Sequence, residues 1–94
     1  MRFSFDPAKD AANRVKHGLS LADAPLVFEA PDKLTLSSSR TNEARKMDLA
    51  LVEVASVMLV LVYVLRGPGE VRAISLRRAS KQERKLYASW QETH

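Results

Sequence analysis

Twelve residues, Val54 to Leu65, constrain the fold of this chain more than any others. The run is rich in Val and Leu, with Ser56 as its polar interruption. It falls short of the roughly 20 residues a membrane helix needs. Its β-branched side chains suit a pleated backbone. A strand that is apolar without alternation has cover on both faces, so Val57–Leu65 reads as a central strand. Arg66-Gly67-Pro68-Gly69 is a turn. Beyond it, Val71, Ala73, Ser75 and Arg77 alternate with Arg72, Ile74, Leu76 and Arg78. On the near side, Met47, Leu49 and Leu51 alternate with Asp48, Ala50 and Val52. Three strands joined by short turns make an antiparallel meander. Leu34-Thr35-Leu36 gives a weaker strand signal, and Ser37 to Asn42 is polar loop material.

Helices must supply the cover. Asp6 can accept from a free N–H of a first turn, and Pro7 suits the first helical position. Ala8, Ala11, Ala12 and Val15 form a small apolar stripe, and Gly18 ends the helix in the left-handed conformation. Ser20, with Asp23 three residues on, caps a second helix carrying Leu21, Ala24, Val27 and Phe28. Pro25 makes that helix bent or short, and Pro31 closes it. Ser80-Lys81-Gln82-Glu83 is a capping box opening a last helix through about Trp90. Leu86, Tyr87 and Trp90 dock it on the sheet, with Lys81, Arg84, Lys85 and Ser89 outward. The expected class is α+β: a small antiparallel meander with two N-terminal helices and one C-terminal helix, in a single domain over residues 1–94.

Composition narrows the function. With 94 residues and 46% apolar side chains, one core is expected. The chain has no cysteine, which excludes disulfides, thiolate metal sites and a thiol nucleophile. Met1 to Pro7 lacks the apolar stretch of a secretory leader, so a cytoplasmic, membrane-free protein is expected. The net charge is +4, and residues 66–94 account for all of it, with seven Lys/Arg against Glu70, Glu83 and Glu92. Such a segment fits a polyanion partner, nucleic acid or an acidic protein, or else an ordinary solvated surface.

Two histidines without cysteine do not make a closed metal site. Lys16 and His17 complement the dipole at a helix end, yet an imidazole is also the side chain suited to proton transfer near neutrality. Glu43-Ala44-Arg45 is either a surface ion pair or part of a site. Arg66, Arg72, Arg77 and Arg78 leave adjoining strands, Arg66 and Arg72 near one end of the hairpin, the other two from its far end on opposite faces. Guanidinium groups grip phosphate in bidentate fashion. These arginines are expected to converge, near His17, into a cradle for a ribose–phosphate link. Tyr87 and Trp90 are core anchors or base-stacking groups.

Phe5-Asp6-Pro7-x-Lys9, Asn13, Lys16-His17-Gly18-Leu19-Ser20, Ala24, Val27-Phe28 and Pro31 resemble the opening of the BrnT toxins of type II toxin–antitoxin systems. Glu43-x-Arg45, Tyr63-x-x-Arg66-Gly67, Val71 to Ala79 and Glu83-Arg84-x-x-Tyr87 resemble its second half. The match runs from about residue 3 to 87, inside a family-like core of about 3–90. The resemblance implies a RelE-like ribonuclease fold and a metal-independent endoribonuclease that needs no cofactor. It also implies a BrnA-type antitoxin in a 2:2 complex, through which alone the toxin meets operator DNA. On that basis His17 and Glu43 are expected to move protons, with Lys16 as a further acid. Arg45, Arg66 and Arg77 would stabilise the transition state, and Arg72, Arg78 and Arg84 would bind RNA phosphates. A non-catalytic nucleic-acid-binding module, or a degenerate toxin kept for its interactions, is the alternative.

Overall fold

The computed structural model of the chain describes residues 1–38, 47–54 and 56–93. In chain order these form β1 (Arg2–Ser4), α1 (Pro7–His17), a 3₁₀ turn (Leu21–Asp23), α2 (Ala24–Phe28), β2 (Leu34–Ser38), β3 (Met47–Val54), β4 (Val57–Arg66), β5 (Glu70–Arg78) and α3 (Lys81–Glu92). The strands make one sheet in the order β1-β5-β4-β3-β2. Its β2–β5 part is an antiparallel meander, as the sequence predicts, and β4 lies at its centre.

The sheet is larger than a three-stranded meander. The weak signal at Leu34 is a full strand on β3, and β1 joins β5 in parallel, with Phe3 opposite Val71. Three residues are too few to show alternation, and it is pairing that makes β1 a strand. Ser4 Oγ donates to Glu70 at 2.5 Å, and the Arg2 N–H donates to Gly69 O at 2.7 Å.

Both faces of β4 are covered, for the reason its sequence gives. On one face Leu59, Leu61 and Tyr63 pack with Leu21, Ala24 and Val27 and with Val71, Ala73 and Leu76 of β5. Edge-on aromatic contacts run Phe3–Phe28–Tyr63, at centroid separations of 5.7 and 5.2 Å. On the other face Val60 packs with Tyr87 of α3 and with Ala79, flanked by Met58, Val62 and Trp90. Burying each such aliphatic side chain favours folding by about 1.5–3 kcal/mol.

The caps form as read. Asp6 accepts from the Ala8 N–H, Gly18 takes φ 70°, and Ser80 and Glu83 complete the capping box. Pro25 stands in the first turn of α2, where its missing N–H costs nothing, and the 3₁₀ turn precedes it. On α3, Tyr87 is buried, but Leu86 is exposed rather than docked.

Two expectations fail on β5 and α1. Strict alternation would put Leu76 opposite Val71 and Ala73, yet all three share one core. A bulge is the cause: Val62 pairs with Ser75 and Tyr63 with Ala73, leaving Ile74 as the extra residue. The Ala8-Ala11-Ala12-Val15 stripe of α1 faces solvent, with Val15 90% exposed. Instead α1 buries two polar side chains, Asp10 and Asn13.

Candidate active site

Both buried polar groups of α1 have their bonds made inside the protein. Asp10 Oδ1 accepts from the Leu21 N–H at 2.7 Å and from Ser20 Oγ at 3.1 Å, and Oδ2 pairs with Arg14 at 3.1 Å. The Leu21 N–H is the main cause that holds its carboxyl below the usual value. Asn13 reaches β5 beyond the end of β1: its Nδ2 donates to Leu76 O at 2.8 Å, and its Oδ1 accepts from the Leu76 N–H at 3.1 Å. The amide thus continues the ladder where no strand follows.

Between α1 and the bulge lies an open cavity of about 240 Å³, lined by Lys9, Ala12, Asn13, Lys16, His17, Ile74 and Ser75. Lys9 and Lys16 are two helical turns apart and share a face. The bulge sets the neighbours Ile74 and Ser75 side by side into one cavity, which an unbroken strand would not do. Arg78 closes in from the end of β5, its guanidinium donating to the His17 carbonyl oxygen at 3.3 Å. That carbonyl belongs to the C-terminal end of α1, where a cation is favoured. Among the described residues no carboxylate lines the cavity, so the field of this lining is positive and its donors suit a phosphodiester.

Of the residues singled out in the sequence, the structure brings together Lys16, His17 and Arg78. The single cradle of converging arginines is not formed. Arg66 and Arg72 lie at the opposite end of the β4–β5 hairpin, with Arg66 paired across to Glu70. From Arg72 to Arg78 the strand covers roughly 20 Å at 3.3 Å per residue. Ser4, and then Arg2, Arg66 and Arg72, hold the Glu70 carboxyl below its usual value. Arg77 is turned toward α3, where its two terminal nitrogens bind Glu83 at 2.8 and 2.9 Å. This pairing takes the Glu83 carboxyl from 4.5 to about 2 and raises Arg77. Arg84 donates to Ala79 O at 3.2 Å on the same side of the molecule. Glu43 and Arg45 lie outside the described residues. Tyr87 is a core anchor rather than an open stacking surface, and its hydroxyl donates to Asp32 O at 2.7 Å.

Lys9, Asn13 and Ser75 were not singled out as site residues from the sequence. The seven-residue spacing of Lys9 and Lys16 carries that information for one of them. Nothing local marks Ser75, because the bulge that aims it is a property of strand pairing.

Residues 5–83 match the family model described as ribonuclease toxin, BrnT, of type II toxin–antitoxin system. The crystal structure of the Brucella abortus ribonuclease toxin, BrnT, is similar to this fold with a TM-score of 0.66 and 29% sequence identity. The match covers 86% of this chain and 99% of that one. No curated protein matches the sequence. The family match takes in α1, the cavity and every strand except β1. On these grounds the chain belongs to the BrnT family of ribonuclease toxins of type II toxin–antitoxin systems.

Proposed function

We propose that the protein is a metal-independent endoribonuclease whose active site is the cavity between α1 and β5. The observation that carries this reading is the lining itself: two lysines, a histidine and a hydroxyl, with no carboxylate among the described residues and with Arg78 at the rim. Such a lining repels a divalent cation and attracts a phosphodiester, which favours cleavage by the RNA's own 2′-hydroxyl. The 2′-oxygen forms a bond to phosphorus as the bond to the 5′-oxygen breaks, leaving a 2′,3′-cyclic phosphate and a 5′-hydroxyl. The proton of the 2′-hydroxyl goes to a base, and an acid supplies one to the departing 5′-oxygen. His17 serves one of these steps, and Glu43, which lies outside the described residues, is the candidate for the other. Lys9, Lys16 and Arg78 stabilise the charge that builds on the phosphorane oxygens. Arg45, two residues from Glu43 in the sequence, adds positive charge, Arg66 and Arg72 hold a more distant phosphate of the strand, and Arg84 lies along the outer basic face. Arg77 is a structural partner of Glu83 in this assignment and leaves the group that stabilises the transition state.

In the cell this activity inhibits growth in the cytoplasm, and a BrnA-type antitoxin neutralises it. The antitoxin joins the toxin in a 2:2 complex and carries the contact with operator DNA.

The test is cleavage of a single-stranded RNA by the purified protein, with and without chelator. Cyclic-phosphate ends, unchanged rates with chelator, and rates at least 100-fold lower for His17→Ala are expected. A 2′-deoxy residue at the cut position should block cleavage. RNA bound but never cut would make the protein a nucleic-acid-binding module, and a His17→Ala variant with full activity would remove the cavity from the mechanism.

A further inference from the structure

The side chain at the back of the cavity has no bonding capacity left for a substrate. Asn13 is 6% exposed. Its Nδ2 donates to Leu19 O and to Leu76 O, both at 2.8 Å. Its Oδ1 accepts from the Leu76 N–H at 3.1 Å and, more weakly, from Ser75 Oγ at 3.4 Å. A primary amide has two donor hydrogens and two acceptor lone pairs, and here all four are engaged. The bonds reach three places that bear on the site. Leu19 follows the Gly18 cap that ends α1 just beyond Lys16 and His17. Ser75 is the hydroxyl that the bulge delivers to the cavity, and Leu76 is the backbone just past the bulge.

We propose that Asn13 is a positioning residue for the reaction, clasping the end of α1 that carries Lys16 and His17 to the bulged segment of β5 that carries Ser75 and leads to Arg78. This rests on the cavity being the ribonuclease site. The two walls come from parts of the chain about 60 residues apart, as the Asn13–Leu76 separation of 63 shows. The exposed apolar stripe of α1 does not anchor the helix, so the buried amide, with the exposed Arg78 bond to His17 O at the rim, holds it against the strand. A misplacement of about 1 Å between reacting groups costs on the order of 100-fold in rate.

The experiment compares wild type, His17→Ala, Asn13→Ala and Asn13→Asp in RNA cleavage, with rates expressed per folded molecule. Asn13→Asp keeps the shape and the acceptor contacts while removing both donated bonds. Its added charge acts on bound RNA and on the transition state alike, so the neutral Asn13→Ala variant is the one whose kcat at saturating RNA isolates alignment. The expected result for folded Asn13→Ala is a kcat at least tenfold lower, with KM within threefold of wild type, and Asn13→Asp should lose at least as much. A folded variant with wild-type kcat overturns the positioning role and leaves the ribonuclease reading intact. An inactive wild type overturns the ribonuclease reading and this inference with it, whereas full activity in His17→Ala removes the cavity from the mechanism and overturns this inference alone. Should neither Asn13 variant fold, the wild type decides by NMR. The Asn13 Nδ2 protons must be protected from exchange and must shift together with the His17 ring when a 2′-deoxy oligonucleotide fills the cavity; unprotected or unresponsive protons sink the proposal.

Discussion

Glu83 shows how one residue can be read correctly from sequence and still hold a second role. Its place three residues after Ser80 marks it as the capping-box partner, and its Oε1 does accept from the Ser80 N–H at 2.8 Å. Its bidentate bond to Arg77 depends on β5 delivering that guanidinium to the α3 side, which no spacing within the helix reveals. The folded carboxyl titrates at about 2, below its ordinary 4.5. A lowered value means that the stabilisation is complete above about pH 4.5 and is lost as pH falls toward 2. Glu83→Gln keeps an acceptor for the cap but removes the charge. It should cost about 1 kcal/mol at neutral pH, a modest value because both side chains are partly solvated. The urea midpoint of this variant should fall less steeply between pH 4.5 and 2 than that of wild type, with Asp10 and Glu70 supplying the remaining slope in the same direction. Parallel pH profiles for the two proteins would exclude this role for the ion pair.

Among the elements, the β-hairpins divide into what local chemistry sets and what pairing sets. The Val54–Val57 pair closes a two-residue connection between β3 and β4, and Ser56 there takes φ 68°. Left-handed backbone of this kind costs a residue with a Cβ roughly 1 kcal/mol that glycine does not incur. Ser56→Gly should therefore raise the thermal midpoint by about 4–8 °C for a domain of this size. An unchanged or lower midpoint would show that the serine side chain contributes what its backbone loses. In α1 the legible signals are its ends, Asp6-Pro7 and Gly18, since capping is a matter of neighbours in sequence. Which face it buries was not legible. Asp10 and Asn13 are inside because they bond to Leu21 and Leu76, groups that other parts of the chain bring to them.

For the molecule as a whole, the arrangement of charge matters more than its sum. The excess of +4 lies in residues 66–94, but the sheet parcels those arginines out to three places: the Glu70 end, the α3 face and the rim of the cavity. Only the rim adds to Lys9 and Lys16. With these three cations on phosphate, binding of a non-cleavable single strand should weaken at least about 100-fold for a tenfold rise in salt, from a slope of roughly −0.7 per contact, and contacts by Arg66 and Arg72 would steepen it. Titration of a labelled 2′-deoxy oligonucleotide at several salt concentrations measures this, and affinity indifferent to salt would contradict a phosphate-binding cavity.

The amino-acid order alone determined the α+β class, the central β4 strand, the meander and the helix ends, because hydrophobic run length, alternation and capping all act between close neighbours in the chain. It also carried Lys16 and His17 as candidates. Tertiary structure decided the parallel β1, the outward apolar stripe of α1, the transfer of Arg77 to Glu83 and the entry of Ser75 into the cavity. Each of these rests on a hydrogen bond, an ion pair or a strand register formed between distant segments, and such partners exist only once the sheet has assembled.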